Sequence, residues 1–151
     1  MEMTDEIRIA ASKQKLFDAL NDPDILKACI PGCEELVQTS PSEFNATVAL
    51  KVGPVKARFK GTVTLDTSQG PDRMTLSGEG TGGAAGFAKG GADVDLEEDG
   101  ADTILRYRAT FQIGGKIAQL GSRLIQGTAK KLSTKFFDNL AEQVGRTETA
   151  A

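Results

Sequence analysis

The 151 residues read as one α+β domain: a curved antiparallel sheet gripping a long C-terminal helix, with two short helices after the first strand. Three observations carry that reading. Apolar residues alternate with a period of two from Glu34 to Ile113, the spacing of half-buried strands. From Lys116 to Val144 they fall every three or four residues, as on one face of a helix. Ahead of both lies a short strand signal followed by two cappable helical segments.

The elements follow in order. Ile7 and Ile9 alternate with Glu6 and Arg8 as a first strand. Ser12 can N-cap a helix carrying Leu16, Phe17 and Leu20. Asp22 caps a second helix with Pro23 at its first position, and that helix stops at Pro31-Gly32. Gly53-Pro54 turns one strand into the next, setting Val52 opposite Val55 and Val48 opposite Phe59. Gly70-Pro71 turns the chain again, into a register that sets Gly61 opposite Gly78. Asp99-Gly100, as the centre of a hairpin, pairs Val94 with Leu105, Ala92 with Tyr107 and Asp93 with Arg106. The final helix then runs a stripe through Ile117, Leu120, Leu124, Thr128, Leu132, Phe136, Leu140 and Val144. Residues 1–145 form the single domain, and 146–151 are expected to be a disordered polar tail.

Composition narrows the function. Apolar residues make up 39% and charged residues 26%, a balance that folds rather than stays disordered. The chain contains no His, so neither a Ser-His-Asp triad nor a His-ligated zinc or haem site can be built. Its net charge of −3 speaks against sequence-independent binding to nucleic acid. No stretch approaches the roughly 20 apolar residues of a membrane span. The polar, charged opening from Met1 to Ala10 does not read as a secretory signal, so the expected location is the cytoplasm. Cys29 and Cys33 read as a reduced pair, half of any tetrahedral metal site, and no metal or cofactor is expected.

The inner face of the sheet is the informative surface. Ala46, Ala57, Gly61, Gly78, Gly80, Gly90, Ala92 and Ala109 all fall at inward positions, and aromatic residues are only 5% of the chain. A helix laid over such small residues leaves an apolar cavity to be filled. The other reading is that the glycines relieve a bend and the helix sinks deeper. Tyr107 either orients a ligand oxygen from within that space or satisfies a backbone carbonyl at the core edge. Gly78-x-Gly80-x-x-Gly83 matches a dinucleotide fingerprint by letter, but more glycine follows it instead of a helix. Residues 80–91 suit a mobile entrance to the cavity. Asp93, Asp95 and Glu97 alternate outward, which leaves no inward acid for catalysis. Lys56, Arg58 and Lys60 form an outward basic row suited to an acidic partner or anionic lipid.

Leu20-Asn21-Asp22-Pro23-Asp24-Ile25-Leu26, running into Cys29-Ile30-Pro31-Gly32-Cys33-Glu34, resembles the hallmark of the G-subunit family of carbon monoxide dehydrogenase. So do Gly114-Gly115-Lys116-Ile117-Ala118-Gln119-Leu120-Gly121-Ser122-Arg123-Leu124 and Lys135-Phe136-Phe137-Asp138-Asn139-Leu140. The likeness runs from Ile7 to about Val144. It implies the START-like, helix-grip fold of the polyketide cyclase superfamily, with seven antiparallel strands around the last helix. It also implies an accessory protein of molybdenum-containing carbon monoxide dehydrogenases and related hydroxylases. Roles attributed to the family are attachment of the enzyme to the membrane and carriage of a quinone between membrane and enzyme. Family members often continue into a linker and an apolar membrane-binding tail, which these 151 residues do not contain. Cavity binding is the property that carries over.

The expectation is therefore a non-catalytic carrier of a quinone or other lipid. Its ligand would touch Ile30, Val48, Phe59, Gly61, Leu76, Gly78, Val94, Tyr107, Phe111, Leu120, Leu124, Leu132 and Phe136. The alternative is an assembly or membrane-recruitment adaptor, peripheral at the inner face of the membrane, working through Lys56, Arg58 and Lys60. A cyclase-like or hydrolase-like enzyme is the third reading. Filling the space with Gly78→Phe separates cavity from packed core.

Overall fold

The structure, a computed structural model, describes residues 1–150, with side chains through Gly145. The expected polar tail, 146–151, thus falls outside the described side chains, and Ala151 outside the described residues altogether. The elements are β1 (Glu2–Ile9), α1 (Lys13–Leu20), α2 (Pro23–Cys29) and β2 (Cys33–Ser40), then β3 (Glu43–Val52), β4 (Val55–Asp66) and β5 (Arg73–Thr81). They continue with β6 (Phe87–Asp99), β7 (Asp102–Gly114) and α3 (Ser122–Ala150). Seven strands form one antiparallel sheet in the order β1-β7-β6-β5-β4-β3-β2, and α3 lies along its inner face. This is the helix-grip arrangement.

Local chemistry sets both short helices. The Ser12 hydroxyl accepts from the Lys15 amide at 3.2 Å, and Asp22 accepts from the Asp24 amide at 2.9 Å. The chain leaves α2 through Gly32, at φ +76°, whose carbonyl accepts from the Ala49 amide at 2.9 Å. A Cβ there would be driven into the Ala49 carbonyl, so only glycine can stand at this place. Asn139 of α3 donates to the Cys29 carbonyl at 3.1 Å, tying the end of α2 to the long helix.

The β3–β4 register is as expected, with Val52 opposite Val55 and Val48 opposite Phe59. Two others are shifted by two residues. At β6–β7 the loop is Gly100-Ala101, so Val94 faces Tyr107, Ala92 faces Ala109 and Asp93 faces Arg108. Gly100, at φ +64°, takes the first loop position, not the second. At β4–β5, Gly61 faces Gly80, and Gly78 faces Val63. A shift of two keeps every side chain on its expected face, so the alternation alone cannot detect it.

The last helix is corrected more sharply. Its expected stripe ran unbroken from Ile117, but Ile117–Leu120 is a 3-10 turn, and Gly121, at φ +97°, breaks the chain before α3 begins. The break resets the helical phase. Ile125 becomes the buried residue of the first turns, and Leu124 is 39% exposed.

Two apolar clusters result. The larger joins α1, α2 and the second half of α3 to one end of the sheet, through Leu16, Cys29, Phe44, Met74, Leu105, Leu140 and Val144. The smaller joins Val52, Ala85, Ile117 and Ile125 at the other end.

Candidate ligand-binding site

Between the two clusters lies an apolar cleft of about 460 Å³. Its sheet wall includes Ala46, Val48, Leu50, Phe59, Gly61, Val63, Gly78, Gly80, Gly90, Ala109, Phe111 and Ile113, with Met3 from β1. Its helix wall is Ile125, Thr128, Ala129 and Ser133. The cause is a run of small inward residues between the two clusters. On β5 and β6 the inward residues are large towards the larger cluster, as in Met74, Leu76, Val94 and Leu96, and small beyond it, as in Gly78, Gly80 and Gly90. On β7 Ala109 is the small residue between Tyr107 and Phe111. The helix packs at both clusters and spans the small residues between them.

The four glycines do not act alike. A Cβ on Gly61 would be driven into the Glu79 carbonyl and would lie 2.7 Å from the Gly80 Cα. One on Gly90 would lie 2.5 Å from the Thr110 carbonyl oxygen. These two mark where the sheet bends too tightly for a side chain. A Cβ on Gly78 meets nothing closer than 3.4 Å, and the same holds for Gly80. These two leave space. The bend and the cavity are both real, at different residues.

The structure brings five of the thirteen expected ligand residues onto the cleft wall: Val48, Phe59, Gly61, Gly78 and Phe111. Leu76, Val94, Tyr107 and Phe136 belong to the large cluster instead, with Tyr107 stacked on Phe137 at a ring separation of 5.1 Å. That stacking takes Tyr107 into the packed core. Leu120 packs with the small cluster, and Leu124 lies over the β3–β4 turn at Gly53. Ile30 is the C-cap of α2, donating its amide to the Leu26 carbonyl at 3.0 Å, and Leu132 is half-buried on α3; neither borders the cleft. The residues missed on the helix, Ile125, Ala129 and Ser133, follow from starting the helical count at Ser122 beyond Gly121.

Among the described residues, no ionisable side chain points into the space from an inward position. Glu79 and Lys89 border it where the wall thins to glycine, but both sit at outward register positions and are exposed. Asp95 pairs outward with Arg73 at 3.3 Å, and Asp93 accepts from the Thr75 hydroxyl at 3.0 Å. Arg106 pairs with Glu6 and Glu97, not with Asp93. A larger concavity of about 870 Å³ lies on the outer face, walled by Thr64, Ser77, Glu79, Lys89 and Thr110. Its outward side chains are mostly polar, and it lacks a second layer to enclose a ligand.

In the basic row, Arg58 is held by Glu34 in a two-point pair at 2.6 and 3.2 Å. The guanidinium keeps the Glu34 carboxyl below the usual carboxylate range. Lys56 and Lys60 remain exposed, with Lys51 beside Lys56 across the ladder. Cys29 and Cys33 are both free thiols; burial pushes Cys29 up to about 11 and raises Cys33 as well. Among the described residues, no group of three or more acidic or thiol side chains is placed to hold a metal ion. Nor is any helix among them long and apolar enough to cross a membrane.

A profile of the family of the carbon monoxide dehydrogenase G subunit (CoxG) matches residues 6–145. The chain belongs to that family. The motifs through Asn21-Asp22-Pro23, Pro31-Gly32 and Asn139 build the α2 cap, the entry to β2 and the α2–α3 tie. No curated protein sequence matches the chain. A conserved protein from Geobacillus kaustophilus is similar in structure, at 26% identity and TM-score 0.91, with 97% of each chain covered. A START superfamily protein from Mycobacterium smegmatis is similar at TM-score 0.75 and 12% identity, over 97% of this chain and 98% of that one. The Zhui aromatase/cyclase from Streptomyces sp. R1128 shares the fold at TM-score 0.66 and 12% identity, over 97% and 94%. Family and fold together point to a ligand-binding accessory protein.

Proposed function

We propose that this protein is a non-catalytic carrier of a quinone or similar lipid, serving a molybdenum-containing carbon monoxide dehydrogenase or related hydroxylase in the cytoplasm. The apolar cleft between sheet and helix carries the reading: its volume falls in the range that holds small-molecule ligands, and its inward side chains offer no acid or base. The family supports the partner, being named for a subunit of that enzyme. An aromatase/cyclase on the same fold supports the other possibility, an enzyme, but catalysis of that kind needs a proton-transfer group in the cavity. The test is organic extraction of the purified protein with mass spectrometry, alongside a quinone titration followed by NMR. A bound or saturable isoprenoid quinone, with shifts on Val48, Gly78, Phe111 and Ile125, is expected. Absence of any ligand and of any shift sinks the carrier reading.

A second reading, peripheral membrane recruitment, draws on the exposed Leu124 over the Gly53 turn with Lys51 and Lys56 close by on the same hairpin. Of the basic row, Lys56 and Lys60 are the members to reverse, because Arg58 is already neutralised by Glu34. Lys56→Glu with Lys60→Glu should weaken sedimentation with anionic vesicles while leaving quinone uptake unchanged. Equal sedimentation of variant and parent would remove the row from the membrane contact.

A further inference from the structure

The small cluster that ends the cleft is built partly from chain that the sheet does not hold. Two of its buried residues, Ala85 and Ile117, belong to 3-10 turns: Gly83–Ala85 in the β5–β6 connection and Ile117–Leu120 between β7 and α3. The last rungs of the ladders before them are Thr81 with Phe87 and Phe87 with Gly114. Beyond those rungs each connection satisfies its own backbone. The Gly82 amide donates to the Gly86 carbonyl at 2.8 Å, Ala85 to Gly82 at 3.2 Å and Gly86 to Gly83 at 3.1 Å. In the second connection Ala118 donates to Gly115 at 3.1 Å and Gln119 to Lys116 at 3.2 Å. Among the described residues, no backbone hydrogen bond joins 82–86 or 115–121 to a strand. Left-handed glycines bracket both turns, Gly83 and Gly86 at φ +61° and +120°, Gly115 and Gly121 at φ +83° and +97°. A segment with its hydrogen bonds inside it and glycine at both ends can swing without breaking the sheet.

The two connections also touch. A Cβ on Gly115 would lie 2.5 Å from the Gly86 Cα, and one on Gly86 would be driven into the Gly114 carbonyl, so they pack backbone on backbone. Their anchorage is apolar. Ala85 packs in the small cluster with Ile117 and Ile125, and Gly82 sits over the Phe59 ring, which a Cβ there would approach to 2.9 Å. Phe59, Ile117 and Ile125 line the cleft, while Ala85 lies behind them. Lifting the connections therefore opens the cleft at this end. The other end offers no such exit, because Leu16, Leu105 and Leu140 are fully buried there. Resting on the carrier reading, we infer that residues 82–86 and 115–121 form a gate. They swing off Phe59 and Ile125 as one body, and cargo enters and leaves past them. The Ala85 methyl is the latch, tying the first connection to the second and to α3.

Hydrogen exchange of the full chain without cargo reads the opening directly, through the amides of Gly82, Ala85 and Gly86 in one connection and Ala118 and Gln119 in the other. Ala85→Gly removes the latch methyl and should speed exchange about fourfold in both connections, the scale of one buried methyl, with β5, β6 and β7 unchanged. NMR line shapes in a titration with 2-methyl-1,4-naphthoquinone should then show association and dissociation both about fourfold faster. The dissociation constant should stay the same, because Ala85 is not on the cleft wall. Gly115→Ala, which wedges the connections apart, should move exchange and rates in the same direction. Faster exchange in 82–86 alone would mean that the connections move separately, and unchanged exchange in both would mean that Ala85 latches nothing. Faster exchange in both with unaltered quinone rates would send the cargo by another route. Each of these three results overturns the gate and leaves the carrier reading standing. A parent that binds no quinone overturns the carrier reading and the gate with it.

Discussion

Gly61 and Gly78 both lie at inward positions on neighbouring strands, yet substitution should separate them cleanly. Gly61→Ala forces a Cβ against the backbone of β5 and should cost about 2 kcal/mol, as overpacking does. Gly78→Ala, with its nearest neighbour at 3.4 Å, should be neutral or slightly stabilising, since alanine suits a strand better than glycine. Chemical denaturation of the two variants decides it, and equal losses would mean that the cleft is not open at Gly78. Cys29 gives a second prediction at this scale. Its thiol is fully buried and titrates near 11 in the fold against 9.0 for an ordinary cysteine. The raised value favours the protonated thiol, so its contribution is complete below pH 9 and is lost as pH rises towards 11. Denaturation curves from pH 8 to 11 should fall more steeply for the parent than for Cys29→Ala. Alkylation at neutral pH should reach Cys33 first.

Among the elements, α2 depends on two polar contacts that outlie its seven residues. Too short to be stable alone, it is held by the Asp22 cap and by Asn139 reaching across from α3. Asn139→Ala leaves the Cys29 carbonyl short of its partner, a loss of about 1 kcal/mol. Hydrogen exchange should show that loss mainly in α2; an effect spread evenly over the sheet would argue against a local tie. The elements were also the most legible part of the sequence. Alternation gave the strands, Ser12 and Asp22 gave both helix starts, and Gly53-Pro54 gave its hairpin in register. The two hairpins read wrongly failed because the pleat repeats every second residue, so a shift of two satisfies the same pattern. The cleft was half legible for a related reason. Small residues announced an open space, but their place between two packed clusters emerges only from the true register. Tyr107, singled out for its polar tip, lay on the packed side, and Gly121 concealed the phase of α3.

For the molecule as a whole, the two clusters hold the fold and the small residues between them leave room in it. Leu140 is fully buried where α3 meets the packed end, so Leu140→Ala should cost about 2–5 kcal/mol and lower the melting temperature markedly. Gly78→Phe should do the reverse: near-parental melting, with ligand uptake lost because the ring occupies the cleft. Thermal melts and quinone titrations on both variants form one experiment. Unfolding of Gly78→Phe would show that the space had already closed.

The small residues set between two packed clusters have a longer-range meaning. A chain whose stability is secured on either side of a cleft can change the cleft wall without approaching its unfolding threshold. Substitutions at Gly78 or Gly80 are thus nearly silent in a melt and loud in a binding assay. A lineage built on this frame can exchange one cargo for another while the scaffold stays still.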